Sequence, residues 1–441
     1  MHLYIALPSF PENQKTVIGR GVNIEIINTG TELMLGEVLN THEYFLCRRL
    51  AEKGYIVSRQ SAIADTPEAI ESALRDAISR ADVVICTGGL GPTSDDMTRQ
   101  VVANLAGQSL IENASVLEHI ENWFASRNRP CPPGTRNQAL VPERAIVLPN
   151  SHGTAPGLII EVSRPHGAAM TSVWLVMLPG PPRELRPMFD DQVLPWLMRS
   201  FKQPAPFVCR TIRTIGIPES IMQSLLIGPL SDLVRAGLEV GYCSRPGEVD
   251  VRLSARGENA ALTVAEAEKI VVGLAGEHVY GSGDERLEDV VVREFARLGK
   301  TVVTAESCTG GRIANRLTDV PGASAVFLGG AVTYSNELKK MVLGVQAETL
   351  QVHGAVSEQT AREMAEGARK RFGADYALAT TGIAGPSGGT PAKPVGTVFI
   401  ALASDRSTIV VRQLNQFDRD TFKQVTSQQA LDMLRRQLRG V

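Results

Sequence analysis

The most constraining feature of this 441-residue chain is the stretch Ala305-Glu306-Ser307-Cys308-Thr309-Gly310-Gly311. The β-branched apolar run Thr301-Val302-Val303-Thr304 leads into it, and Arg312-Ile313-Ala314-Asn315-Arg316-Leu317 leaves it with a helical pattern. A serine therefore stands where a strand turns into a helix. Backbone N–H groups are exposed at such a turn and can bind an oxyanion or a phosphate. Downstream lie Thr333-Tyr334-Ser335-Asn336-Glu337-Leu338-Lys339 and the glycine-rich Thr381-Gly382-Ile383-Ala384-Gly385-Pro386. A serine, a tyrosine, a lysine and a backbone anion cradle are the parts of a serine/lysine hydrolase.

Each residue also has a plainer reading. Ser307 can be a helix N-cap, a common role for serine. Cys308 is intrinsically the better nucleophile, although a lone cysteine is more often a small buried hydrophobe. Lys339 and Lys340 are adjacent, and only a desolvated lysine, or one beside another cation, has its pKa lowered enough to act as a base near neutral pH. Tyr334 can be core. The argument rests on the ordered set.

The remaining chain sets the context. A length of 441 residues implies two or three domains. A net charge of −2 gives no whole-chain reason to expect nucleic acid or an anionic membrane. The six cysteines (47, 86, 131, 209, 243, 308) form no C-x-x-C pair. This argues against zinc and a disulfide framework and suits a reducing cytoplasm. No apolar run reaches the roughly 18 residues of a membrane span, and the N-terminus does not read as a signal peptide.

Four segments are expected. Residues 1–21 show no periodicity and read as an N-terminal extension. Residues 22–200 alternate strand and helix: a strand at 22–27, a helix at 38–53 closed by Gly54, a strand at 55–62, a helix from Pro67 to Arg80 capped by Thr66, and a strand at 82–87 running into Gly88-Gly89-Leu90-Gly91-Pro92-Thr93. That alternation predicts a parallel sheet wound with helices, with ligands at the carboxyl ends of the strands. Residues 205–283 read as a small α+β module: a strand (207–215), a helix (218–234), a strand pair around Arg245-Pro246-Gly247-Glu248 and a helix (259–275). Residues 284–441 form a further α/β domain. It opens with a helix stopped by Gly299, carries a helix from Ser357 to Phe372, and ends with strands at 396–403 and 408–414 and a helix at 418–438.

The ordered motifs AESCTGG, VTYSNELK, HGAVS (353–357), TTGIAGPSGG (380–389) and KPVGTVFIAL (393–402) closely resemble the C-terminal domain of the CinA family, the PncC-type nicotinamide mononucleotide (NMN) deamidase. The resemblance covers 285–441. It implies metal-free hydrolysis of the NMN carboxamide to nicotinate mononucleotide and ammonia, with Ser307 as nucleophile, Lys339 as general base and Tyr334 assisting. It also implies substrate binding by Thr309, Gly310, Gly311, Asn336, Gly382, Ala384, Gly385 and Arg419. One departure stands out. Family members usually carry a Gly-Asp-Arg step and a second arginine four residues later, whereas this chain has Phe417-Asp418-Arg419 and Lys423. Lysine keeps the charge and loses the bidentate geometry.

The first region resembles the molybdopterin-binding-like domain at the N-terminus of CinA proteins. The matching motifs are Thr29-Gly30-Thr31-Glu32-Leu33, Gly36 with Asn40-Thr41, Gly88 through Arg99 (including Ser94), Gly153-Thr154-Ala155-Pro156-Gly157 and Leu178-Pro179-Gly180-Pro181-Pro182. His42 stands where asparagine is usual. This resemblance implies an ADP-ribose pyrophosphatase dependent on a divalent ion (Mg, Mn or Co). Gly88, Gly89, Gly91, Thr93, Asn40, Gly153 and Gly180 would contact substrate, and Asp96, Asp95, Asp65 and Glu32 are the metal candidates. Asp96 has an alternative role as a helix cap.

The middle module resembles the KH-like linker domain of full-length CinA proteins. KH folds often bind single-stranded nucleic acid through a GXXG loop. Here Gly273-Leu274-Ala275-Gly276 falls in an apolar helical stretch and reads as packing. Residues 207–283 carry seven basic against nine acidic side chains, a balance of −2, which argues against phosphate binding. The expectation is a cytoplasmic, homodimeric, bifunctional salvage hydrolase with the module as a spacer. The competing reading is a competence- or DNA-damage-associated binding protein with vestigial catalytic sites.

Overall fold

The run Ile24-Glu25-Ile26-Ile27 becomes the centre of a sheet because nearly every side chain on it is apolar, the pattern of a strand covered on both faces. In the computed structural model this is β1 (Ile24–Thr29), buried along its whole length. The structure describes residues 21–440 except 94, 167–168 and 202–204. The expected extension at 1–21 lies outside the described residues up to position 20, as does Ser94. The chain divides into two compact units between Val208 and Cys209.

In the first unit β1 is flanked by β2 (Val57–Ile63) and β3 (Val83–Thr87), both parallel to it. A helix at Pro67–Arg80 lies between these two strands in sequence, with Thr66 accepting from the Ala69 N–H and Pro67 at its first turn. Glu25, buried in β1, is held by a two-pronged bond from Arg80 at 2.6 and 2.9 Å. The helix expected at 38–53 runs over Thr41–Glu52, because Asn40 caps it. A two-stranded ribbon, β4 (Leu110–Glu112) and β5 (Leu140–Pro142), stands apart.

The sheet is not parallel throughout. β6 (Ile146–Leu148), β7 (Gly157–His166) and β8 (Ala169–Leu178) extend it in the order β2-β1-β3-β8-β7-β6. β8 is parallel to β3, but β7 and β6 are antiparallel to their neighbours. The connection from β7 to β8 is too short for a parallel crossover, which needs a dozen or more residues. The sheet therefore ends as a hairpin.

The second unit holds two sheets. β9 (Phe207–Ile215), β10 (Glu239–Arg245), β11 (Glu248–Arg256) and β12 (Val279–Ser282) order as β10-β11-β9-β12. The helix expected at 218–234 is broken into Glu219–Leu226 and Ser231–Arg235. Pro229 has no N–H to continue the ladder and restricts Gly228 before it. Gly273 lies inside the helix Ala260–Ala275 and Gly276 is its cap. The GXXG match is thus a helix end and not a loop between helices. A Cβ on Gly273 would meet nothing within 4 Å, so the expected packing role is not seen there.

β13 (Val302–Glu306), β14 (Phe327–Val332), β15 (Tyr376–Gly382), β16 (Thr397–Ala403) and β17 (Thr408–Leu414) form the other sheet, ordered β14-β13-β15-β16-β17. β14, β13 and β15 are parallel, and the last two strands return antiparallel. The 21-residue helix Arg419–Arg439 crosses this domain, capped by Asp418. Ile215 and Tyr280 of the middle module share its apolar core with Phe422 and Leu431. Arg435, 1% exposed, donates to the carbonyls of Glu277 and Val279. The module is packed onto the final helix as part of one unit. Among the described residues, no helix is long and apolar enough to cross a membrane.

The parallel strands β13 and β15 end at the serine turn. The carboxylate of Glu306 lies beneath that turn, 1% exposed. It accepts from the Thr309 hydroxyl at 2.7 Å and from the N–H groups of Gly311, Ile313 and Ala314 at 2.9, 3.1 and 2.8 Å. The last three open the helix Arg312–Thr318, whose first N–H groups have no partner within the helix. A negative charge there is also favoured by the helix dipole. Glu306→Gln should lower the unfolding free energy by about 1.5–3 kcal/mol, the value of a hydrogen bond to a charged group. Urea denaturation measures this, and an unchanged midpoint would contradict the role.

Candidate active site

Ser307 follows β13 directly, and its N–H is fixed to the Thr380 carbonyl of β15 at 3.0 Å. Gly310 and Gly311 then reverse the chain with φ of +62° and +91°, values that favour glycine. The turn holds Ser307 at the carboxyl end of β13, 7% exposed.

Lys339 reaches this hydroxyl from the helix Asn336–Leu343, which Ser335 caps through the Leu338 N–H. Its Nζ lies 3.0 Å from Ser307 Oγ, 2.8 Å from the Thr333 carbonyl and 3.1 Å from the Tyr334 carbonyl. The side chain is 1% exposed. Burial lowers its pKa, opposed only by nearby Cys308. A neutral amine has two hydrogens and one lone pair. In the neutral form, with both carbonyls accepting its hydrogens, the lone pair would face Ser307 Oγ. Lys340, next in sequence, turns outward to Glu337 at 2.8 Å.

Cys308 is buried in the core, and burial pushes its thiol up to about 12. It is a thiol and not a thiolate at neutral pH, and it is Ser307 that Lys339 touches.

Tyr334 is placed differently from the expectation. Its ring is 60% exposed, and its hydroxyl accepts from Arg419 Nη2 at 3.0 Å. It meets Lys339 only through its backbone carbonyl. Arg419 also donates to the Gly385 carbonyl at 2.9 Å, which ties the start of the final helix to the loop after β15. Lys423, one turn on, brings Nζ to within 3.5 Å of where a Cβ on Gly310 would sit. Phe417 is exposed beside them. Of the other expected contacts, Gly382 leaves β15 against the Thr397 carbonyl, Ala384 is buried and Asn336 is exposed. The Thr309 hydroxyl is taken by Glu306 and by Thr380 at 2.8 Å, so it supports the turn and does not face solvent.

The first unit gathers some of its candidates. Gly88 packs on Thr29, and a Cβ on Gly180 would lie 3.9 Å from the Gly88 Cα. The Asp96 carboxylate sits where a Cβ on Gly91 would be and accepts from the Thr93 N–H at 2.9 Å. It does not cap the following helix. Asn40 is used as a helix cap, and Gly153 packs on Glu184 with its carbonyl 2.9 Å from His119 Nε2. The four expected metal carboxylates are not brought together. Asp65 accepts from the Thr31 N–H at 3.0 Å, Glu32 folds against Gly30, and Asp95 is exposed. Among the described residues, no three His, Cys, Asp or Glu side chains could share an ion. Asp65 and Asp96 each already accept from a backbone N–H.

Sequence reasoning missed Glu306 as a site residue. An acid just before a glycine turn and a helix start is the signal that marks it.

Three family models fall in order along the chain. "Probable molybdopterin binding domain" matches 25–199, "Damage-inducible protein CinA KH domain" matches 209–281, and "CinA C-terminal domain" matches 284–438. A CinA-like protein of Akkermansia muciniphila is 44% identical over 411 residues, covering 93% of this chain and 96% of its own. A CinA-like protein of Kosmotoga olearia is 41% identical over 419 residues, covering 94% and 98%. Among solved structures, competence/damage inducible protein CihA from Agrobacterium tumefaciens is 44% identical, covering 35% of this chain and 93% of that one with a TM-score of 0.34. With relatives this similar over more than nine-tenths of both chains, and with all three domains in the same order, the chain belongs to the CinA family.

Proposed function

We propose that the C-terminal domain is an amidase that hydrolyses the carboxamide of NMN to nicotinate mononucleotide and ammonia. The observation that carries this reading is the 3.0 Å contact between Lys339 Nζ and Ser307 Oγ in a buried setting. Neutral Lys339 takes the Ser307 proton as Oγ attacks the carboxamide carbon. Cys308 and Thr309 follow the nucleophile, and their N–H groups have no acceptor among the described residues. They are the nearest donors for the oxyanion that forms. Lys339 then returns the proton to the leaving nitrogen, and ammonia departs from an ester on Ser307. Water, deprotonated by the same amine, cleaves that ester to the carboxylate and restores the serine. Arg419 and Lys423 supply positive charge for the substrate phosphate at the mouth of the site.

For the N-terminal unit, a nucleotide phosphate or pyrophosphate is the ligand class the Gly88–Gly91 loop favours. ADP-ribose is the substrate that family membership suggests.

Steady-state ammonia release from NMN tests the amidase. Lys339→Ala should reduce kcat by about 10²–10⁴-fold, as loss of a general base does, and Ser307→Ala should abolish turnover. Lys340→Ala should leave the rate near wild type. Full activity in Ser307→Ala would remove the serine from the mechanism.

The pH dependence has a definite sign. Lys339 is active when neutral, so kcat should rise with pH through a value below the ~10.4 of a free lysine. Between that lowered folded value and ~10.4, the unfolded chain binds the extra proton, so stability also rises with pH. A limb at the ordinary lysine pKa would contradict the burial argument.

Arg419→Ala should raise KM for NMN by the equivalent of about 1.5–3 kcal/mol, one charge-assisted bond, with a smaller effect on kcat. An unchanged KM would place the phosphate elsewhere.

A further inference from the structure

Within the second unit, a cavity of about 410 Å³ opens where the middle module meets the catalytic domain. Neither Ser307 nor Lys339 lines it. Among the described residues its walls carry five arginines and five carboxylates, and Leu287 is their one aliphatic side chain. The far wall includes Arg312, Asn315, Asp420 and Gln424. Arg312 opens the helix that follows Gly311, and Asp420 follows Arg419, so the cavity backs onto the two helices that frame the candidate active site.

On the catalytic side the charges satisfy one another. Arg312 donates to Asp420 at 2.6 Å and Arg316 to Glu288 at 2.7 Å. The end made by the module does not close in this way. Arg245 and Glu248 stand opposite each other at the tip of the β10–β11 hairpin. Glu248 is 7% exposed, and its carboxylate accepts no hydrogen bond among the described residues. Its nearest cation is Arg245 Nη2 at 3.2 Å. That nitrogen donates instead to Asp250 at 2.9 Å, and the Nε and Nη1 of Arg245 make no hydrogen bond among the described residues. Tyr280 on β12 packs into the core, 3% exposed, yet its hydroxyl has no hydrogen-bond partner among the described residues. Burial and the charge of Glu248 raise the pKa of that hydroxyl, against the pull of Arg213 and Arg245, so it keeps its proton. A buried carboxylate and a buried hydroxyl are costly without hydrogen bonds. Both line the cavity, from which a ligand can supply them.

We infer that this cavity binds an α-amino acid as its zwitterion. The ammonium group donates to the Glu248 carboxylate and the Tyr280 hydroxyl oxygen, and the ligand carboxylate accepts from the free donors of Arg245. Two observations select this class. Equal numbers of guanidiniums and carboxylates leave the walls neutral overall, which favours a dipolar molecule over a simple anion or cation. The free acceptor and the free donor also sit on paired residues, so the two charges of the ligand must be adjacent, as they are on a single α-carbon. The volume falls in the roughly 300–1,000 Å³ range of small-molecule sites. The remaining space, bordered by Asn315 and Gln424, takes a polar side chain. This inference stands apart from the amidase reading.

The test is calorimetric titration of the full-length protein with L-glutamine, L-glutamate, L-asparagine, L-aspartate, L-arginine and L-lysine. At least one should bind saturably. Its N-acetyl derivative, which lacks the ammonium, and its methyl ester, which lacks the carboxylate, should each bind at least tenfold more weakly. Glu248→Gln should weaken binding at least tenfold. Should that variant not fold, Tyr280→Phe is the second: it removes only a hydroxyl that bonds nothing in the free protein, so far-UV circular dichroism should be unchanged while binding weakens several-fold. No binding by any of the six, equal binding in wild type and both variants, or undiminished binding of the N-acetyl derivative would overturn the site.

Discussion

An amine buried without a carboxylate beside it is the constraint on which the candidate site depends. Lys339 meets two backbone carbonyls and one hydroxyl, and no carboxylate among the described residues pairs with it. A carboxylate in that place would hold the proton on nitrogen. Carbonyls accept hydrogens without fixing the charge, so desolvation can favour the neutral base.

This arrangement requires a rigid turn, and Glu306 provides it. The carboxylate gathers three backbone N–H groups and one hydroxyl beneath the serine. Thr309 continues the lock to Thr380 on the neighbouring strand. Ser307 is thus held by β13, β15 and the helix Arg312–Thr318 together. The opposite wall lies at the surface. Arg419, Tyr334 and Gly385 are joined by two hydrogen bonds at the surface, and Lys423 approaches Gly310. A rigidly held nucleophile suits catalysis by positioning.

Local signals in the sequence marked much of the fold. Thr66 with Pro67, Gly299 and Gly373 mark helix ends that the structure places at the same residues. The helix expected at 218–234 is two pieces around Pro229, a residue that breaks the helical ladder. The antiparallel end of the first sheet depends on the pairing of β7 with β8, which no local pattern reveals. At the site, the motifs placed Ser307 and Lys339 in one set. Their contact spans 32 residues and follows from the sheet that brings β13 and β14 together. The Tyr334 hydroxyl meets Arg419, 85 residues away, a pairing set by tertiary packing. Arg99 closes the motif that begins at Gly88, and only packing shows that it is buried.

The central claim is that Ser307, activated by Lys339, forms the covalent intermediate. The direct measurement is peptide mass spectrometry on enzyme acid-quenched during turnover of NMN. The account predicts an acyl adduct on the peptide carrying Ser307, mapped to the serine oxygen and absent in Ser307→Ala. An adduct on Cys308, or rapid turnover with no adduct and full activity in Ser307→Ala, would contradict it.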